Sequence, residues 1–190
     1  PLRIALFDRA GGSHAGEQLV VLDAASGEFS FPGFAQRPVL SINRGFSAPV
    51  AIETDQSAAD LMFLAAHDDD PFARYEAMQS LVVQHLVAGA SGGFLCDADR
   101  QAGRDSIRRA LGAVIADPAL DDLMRGELML LPAESYLAEQ FLVADPGAIH
   151  AEREGLKAWL GQTLAADLAA LHDRASAVPY GRDAAARGSR

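Results

Sequence analysis

The chain has 190 residues and a net charge of −10, from 26 acidic and 16 basic side chains. That balance offers no basic face for nucleic-acid phosphates and no polybasic patch for a membrane surface, so neither is expected as a partner. With 49% hydrophobic and 22% charged residues, the chain has enough apolar surface to offset chain entropy and reads as folded. The lone cysteine, Cys96, leaves no intrachain disulfide; a reducing compartment follows, and the expected location is cytoplasmic. No apolar run reaches the roughly 18 residues of a membrane span, and no signal peptide is visible.

The first part of the chain reads as β structure. Leu2–Phe7 is a strand candidate, followed by a turn at Asp8–Gly12. Gln18–Leu22 is a second, and Glu28–Phe31 alternates polar and aromatic residues like a half-buried strand. Val39–Asn43 and Pro49–Glu53 complete a set of about five short strands separated by Gly, Pro, Ser and Asp. This is the pattern of a β-sandwich or barrel, but the stretch holds only about half of the roughly 100 residues a full sandwich needs. Leu2–Phe7 is therefore expected to lack strand neighbours and to present an open edge.

From Ser57 onward the pattern is helical. Ser57 with Asp60 forms a capping-box signature ahead of Leu61-Met62-Phe63-Leu64. Asp-Pro then recurs at Asp70-Pro71, Asp117-Pro118 and Asp145-Pro146. The aspartate can accept from free first-turn N–H groups and the proline fits the first helical position, so each pair is expected to open a helix. The first carries Phe72, Tyr75, Val82 and Leu86 near one face and ends at Gly89, with Ser91-Gly92-Gly93 as its loop. Further helices are expected over Arg100–Ala116 and Pro118–Leu130. A segment from Pro132 carries Tyr136, Phe141 and Leu142 as apolar marks. The last helix is expected over Pro146–Ala175, with a stripe of Leu156, Leu160, Leu164, Leu168 and Leu171 and with Trp159 packed inside. About six helices with short links point to stacked antiparallel pairs of the solenoid type, without a fixed sequence period.

A metallopeptidase helix needs two zinc-binding histidines one turn apart with a glutamate base between them. The histidines are His14, His67, His85, His150 and His172, and no two lie three to five residues apart. No catalytic or metal-binding residue is therefore assigned, and no substrate-binding residue is identified. His150-Ala151-Glu152-Arg153-Glu154 reads as a solvated first turn favoured by the helix dipole. His67-Asp68-Asp69-Asp70 reads as a loop ending in an N-cap, since no calcium-loop pattern follows it. Cys96 has no local histidine to activate it and reads as a bystander thiol. Gly11-Gly12 and Gly92-Gly93 lack phosphate-loop spacing and read as turns. A Ser-His-Asp hydrolase finds no supporting spacing.

Several stretches carry a family resemblance. Arg37-Pro38-Val39-Leu40-Ser41-Ile42-Asn43-Arg44-Gly45-Phe46-Ser47-Ala48-Pro49-Val50 is similar to a signature of the bacterial aminopeptidase N family (alanyl aminopeptidases, zinc gluzincins). Leu61 to Ala77, Leu130 to Glu139 and Asp145 to His150 resemble the same family in the same order. The resemblance implies an α+β multidomain fragment. Residues 1–54 would be a partial immunoglobulin-like β-sandwich, and residues 55–190 the N-terminal part of the C-terminal α-helical domain, a superhelix. The start at Pro1 and the stop at Gly188-Ser189-Arg190 are expected to be cuts in a longer polypeptide.

The implied parent is a zinc-dependent aminopeptidase that removes N-terminal residues from peptides. Zinc belongs to its catalytic domain, and none is expected to bind this chain. The implied role of this part is to space the catalytic domain from the superhelix and to wall the active-site chamber. Its partners would be the rest of the parent polypeptide and, through the parent, peptide substrates. The alternative is a stand-alone helical-repeat module that binds a protein partner.

Overall fold

The computed structural model describes residues 1–9, 16–94 and 96–177. The expected turn glycines Gly11 and Gly12, His14, and the continuation from Tyr180 onward lie outside the described residues. Packing divides the chain into two compact units, Pro1–Ala77 and Met78–Arg190.

In the first unit, β1 (Leu2–Phe7), β2 (Gln18–Val20) and β3 (Val39–Ile42) form an antiparallel sheet in the order β2-β1-β3. Leu2 faces Val20 and Ile4 faces Gln18 on one side. Ile4 faces Ile42 and Phe7 faces Val39 on the other. β1 is thus the central strand, which corrects the expectation of an open edge there. Its burial shows the same thing, because Ile4, Ala5, Leu6 and Phe7 are consecutive and all buried, as a strand covered on both faces requires.

The expected strands at 28–31 and 49–53 do not form. Both flanks of β1 are already taken, and Phe29 and Val50 remain 44% and 51% exposed, so neither segment gains a buried face or a ladder partner. Three strands are present among the described residues.

Helix α1 (Ala58–His67) starts on the capping box: Ser57 Oγ accepts from the Asp60 N–H at 3.2 Å, and Asp60 Oδ2 accepts from the Ser57 N–H at 3.0 Å. It buries Leu61, Leu64 and Ala65 and sets Phe63 edge-on against Phe7, with ring centroids 5.9 Å apart. Helix α2 (Pro71–Ala90) opens on Asp70, whose Oδ1 accepts from the Ala73 N–H at 2.8 Å. The division between the two units falls within α2.

The second unit continues with α3 (Asp97–Ala116), α4 (Asp122–Met129), α5 (Glu134–Ala138), α6 (Pro146–Thr163) and α7 (Ala165–Ser176). Met78, Val82 and Leu86 of α2, Ile107 and Val114 of α3, Leu128 of α4, Leu137 of α5 and Leu156 of α6 are fully buried. The leucine stripe is real but interrupted: Leu156, Leu160 and Leu164 are buried, whereas α7 buries no residue. The helix expected as one piece breaks at Leu164, where φ is −105° and ψ is 12°. Trp159 is half-buried rather than inside.

Asp145-Pro146 opens α6, with Asp145 Oδ1 accepting from Gly147 and Ala148 at 2.9 and 3.1 Å. Asp117-Pro118 does not open a helix; α4 starts later, capped by Asp121. Asp117 Oδ1 accepts from the Ala119 N–H at 2.9 Å. The Asp117 carbonyl, which a helix would bond to the fourth following N–H, is taken instead by the Arg125 guanidinium at 3.1 Å. In the stretch after Pro132, Leu137 is the buried anchor, while Tyr136 and Leu142 are exposed, reversing their expected part as apolar marks. Among the described residues, no helix is long and apolar enough to cross a membrane.

Two substitutions probe this framework by urea unfolding. Leu156→Ala should cost about 2–5 kcal/mol, because it leaves a cavity at a fully buried position. Ser57→Ala should cost about 1 kcal/mol through loss of the cap; no change in midpoint for either would contradict the packing described.

Candidate functional site

The most densely connected polar cluster lies in the first unit and is built by a turn that follows β3. Asn43, Gly45 and Phe46 all have positive φ, at 59°, 58° and 50°. Asparagine tolerates this region because its short side chain bonds locally: Asn43 Oδ1 accepts from the Ala48 N–H at 2.9 Å and its Nδ2 donates to the Ala48 carbonyl at 3.1 Å. Glycine suits position 45 because its φ is positive; a Cβ there would meet only the movable end of the Arg3 side chain.

The turn aims Arg44 inward. Its side chain is 4% exposed, and it donates from Nη1 to Asp68 Oδ1 at 2.7 Å, from Nη2 to Asp69 Oδ1 at 2.6 Å and from Nε to Glu17 Oε2 at 3.2 Å. Burial works against its charge, but Asp69, Asp68 and Glu17 hold the Arg44 pKa above its ordinary value. The Asp68 side chain is fully buried and also accepts from the Asp70 N–H at 2.9 Å. Asp70 caps α2 and takes the Gly45 N–H at 3.0 Å. Arg74 donates to the carbonyls of Ala65 and Ala66 at the end of α1. The acidic triplet is therefore the receptor for one arginine. Asp68 and Asp69 pair with Arg44, and Asp70 holds the Gly45 N–H, which makes the cluster a clamp on the turn after β3.

The remaining sequence candidates disperse. His150 Nδ1 lies 2.9 Å from Glu134 Oε1 on the surface. Glu152 pairs with Arg100, and Glu154 with Arg153 and Lys157, so the 150–154 cluster faces three different ways. His67 packs against Phe63 with the rings tilted by 48° and their centroids 4.9 Å apart. Cys96 is an exposed thiol whose Sγ sits 3.4 Å from Asp99 Oδ2. Gly92 has a φ of +65°, as a turn glycine should. Among the described residues, no three His, Cys, Asp or Glu side chains come together as metal ligands. Pro118, residues 120–123, Arg125 and Arg174 line an open depression in the second unit, where Asp122 lies 3.5 Å from Arg125 and 3.8 Å from Arg174.

Three residues were missed by sequence reading. Arg44 could have been found from a single arginine between an apolar strand and a glycine, facing an isolated acidic triplet. Arg125, buried and bonded to the carbonyls of Val114, Asp117 and Leu120, has no local signal, because carbonyls are invisible in sequence. His85 is buried too, and neither ring nitrogen has a hydrogen-bond partner.

Similarity to known proteins is consistent along the chain. A family model described as a domain of unknown function with an Ig-like fold (DUF3458) matches residues 1–55. A second, described as a domain of unknown function with ARM repeats (DUF3458_C), matches residues 58–190. Aminopeptidase N of Caulobacter vibrioides is 35% identical over 174 residues, covering 91% of this chain and 20% of that protein. Aminopeptidase N of Escherichia coli K12 is 30% identical over 185 residues, again covering 91% and 20%. The crystal structure of Legionella pneumophila aminopeptidase A in complex with aspartic acid superimposes with a TM-score of 0.82 at 25% identity, over 96% of this chain and 21% of that one. The chain spans about a fifth of the length of the curated relatives it matches.

The clamp makes a measurable claim. Arg44→Met alone should cost about 3–5 kcal/mol, because the buried Asp68 carboxylate loses its cation, and Asp68→Asn should cost less, because Asp69 and Glu17 still pair with Arg44. The double variant Arg44→Met, Asp68→Leu should cost less than the sum of the two, read as a double-mutant cycle in urea; strict additivity would show that the pair is not coupled.

Proposed function

The chain belongs to the DUF3458_C family of ARM-repeat domains, and from that membership we propose that it is the non-catalytic C-terminal portion of a zinc-dependent aminopeptidase. The single supporting observation is the collinear likeness to aminopeptidase N over 91% of the chain, through both the sheet-bearing unit and the helices. On this reading the segment up to residue 54 is the later part of an immunoglobulin-like domain and residues 55–190 begin the helical superhelix. The catalytic domain of the same polypeptide is its partner. The helices wall the chamber over that domain's active site and limit access to short peptides. The location of the parent is cytoplasmic.

Zinc chemistry belongs, on this reading, to a different part of the parent. The donors available here do not fit the metal: a catalytic zinc takes three protein ligands, and among the described residues no such group of side chains assembles. No step of the reaction is therefore assigned to residues of this chain. Its contribution is mechanical, through two units with separate cores and a clamp that fixes the turn after β3.

The test is direct. The purified 190-residue chain, incubated with an alanyl chromogenic amide and with added zinc, should release no product, and it should hold no stoichiometric zinc by elemental analysis. Amino-acid release by this chain together with one bound zinc would overturn the assignment.

A further inference from the structure

Within the second unit, α2, α3 and α6 converge on one buried imidazole. His85 is 5% exposed, and neither Nδ1 nor Nε2 has a hydrogen-bond partner. Gly103 of α3 lets the ring approach: a Cβ at that position would stand 2.5 Å from His85 Nδ1. Phe94 covers another side, with ring centroids 5.0 Å apart.

The charges around the ring are mostly of one sign. Arg104 and Arg100 of α3 and Glu152 of α6 are the charges that act on it. Glu152 is already paired with Arg100. Arg100 also lies over the Phe94 ring at 4.6 Å, and Arg104 over the Trp159 ring at 5.8 Å. A proton on His85 would add a third cation to a site with two guanidinium groups and one carboxylate to share.

We propose that His85 is an acid-sensitive latch for the packing of α2 against α3 and α6, closed while the imidazole is neutral and released when it is protonated. Burial and then the Arg104 charge push the His85 pKa down from 6.5 to about 4, with Arg100 adding to the effect and Glu152 opposing it. The sign follows from linkage. The folded state resists the proton and the unfolded state accepts it at its ordinary pKa. The stability contributed by the neutral ring is therefore complete above pH 6.5 and is lost as the pH falls from there toward about 4. One extra proton bound on unfolding lowers the folding equilibrium constant by roughly tenfold per pH unit within that window.

Trp159 is the only tryptophan and lies at this joint, so it reports on the latch without a label. The experiment is urea unfolding of the 190-residue chain at pH 7, 6, 5 and 4.5, followed by tryptophan emission, for the wild type and His85→Gln. The wild type should lose stability more steeply than the variant, by up to tenfold per pH unit, and the two profiles should run parallel above pH 6.5. Parallel profiles throughout would overturn the proposal. If His85→Gln does not fold, the imidazole is titrated by NMR in the wild type and in Arg104→Met. A midpoint below 5.5 that rises in Arg104→Met supports the latch. A wild-type midpoint above 5.5, or one unmoved by removing Arg104, overturns it.

Discussion

A guanidinium sealed from water is tolerable only where carboxylates meet it, and the Arg44–Asp68 pair is the point at which the first unit meets that condition. Arg44 sits in a turn after β3 flanked by three positive-φ residues, Asn43 before it and Gly45 and Phe46 after it, of which Phe46 carries the strain that a fixed end point must hold. The end point is the corner between α1 and α2, where Asp68 and Asp69 take the guanidinium and Asp70 takes the Gly45 N–H. Two of the stretches that carry the family resemblance, Arg37–Val50 and Leu61–Ala77, thus meet in one ionic cluster. Their chemistry is matched to each other, which accounts for the acidic triplet.

The same economy governs the helices. Side-chain acceptors start α1, α2, α4 and α6, at Ser57, Asp70, Asp121 and Asp145, because first-turn N–H groups have no partner inside the helix. Where a carbonyl is claimed by another donor, the helix yields: Arg125 gathers carbonyls across the 117–120 turn and delays α4 past the proline. Buried arginines act here as ties for backbone oxygen, with five donors in a planar fork suited to that work.

Function, on the proposed reading, rests on position and not on reactive groups. A segment about a fifth the length of its aminopeptidase N relatives contributes surfaces and spacing. Its own titratable chemistry is internal, in the Arg44 cluster of one unit and the His85 joint of the other. Each is held by side chains that sequence distance separates and packing joins: Asp68 follows Arg44 by 24 positions, and Glu152 follows Arg100 by 52.

Local rules carried the sequence reading a long way. The change from strands to helices, the capping box at Ser57, the helix starts at Pro71 and Pro146 and the Leu156–Leu164 stripe follow from period, capping and composition, each a property of a few neighbouring residues. Tertiary structure decided the rest. β1 became the centre of its sheet because pairing is a long-range choice. The segments at 28–31 and 49–53 stayed irregular for want of ladder partners, and Asp117-Pro118 lost its helix to a guanidinium eight residues on. The last helix broke at Leu164, and the nearly sealed imidazole of His85 owes its character to three helices that meet only in the folded chain. A propensity is local, whereas burial and partnership depend on what the remainder of the chain brings alongside, and one residue's neighbours in sequence do not specify that.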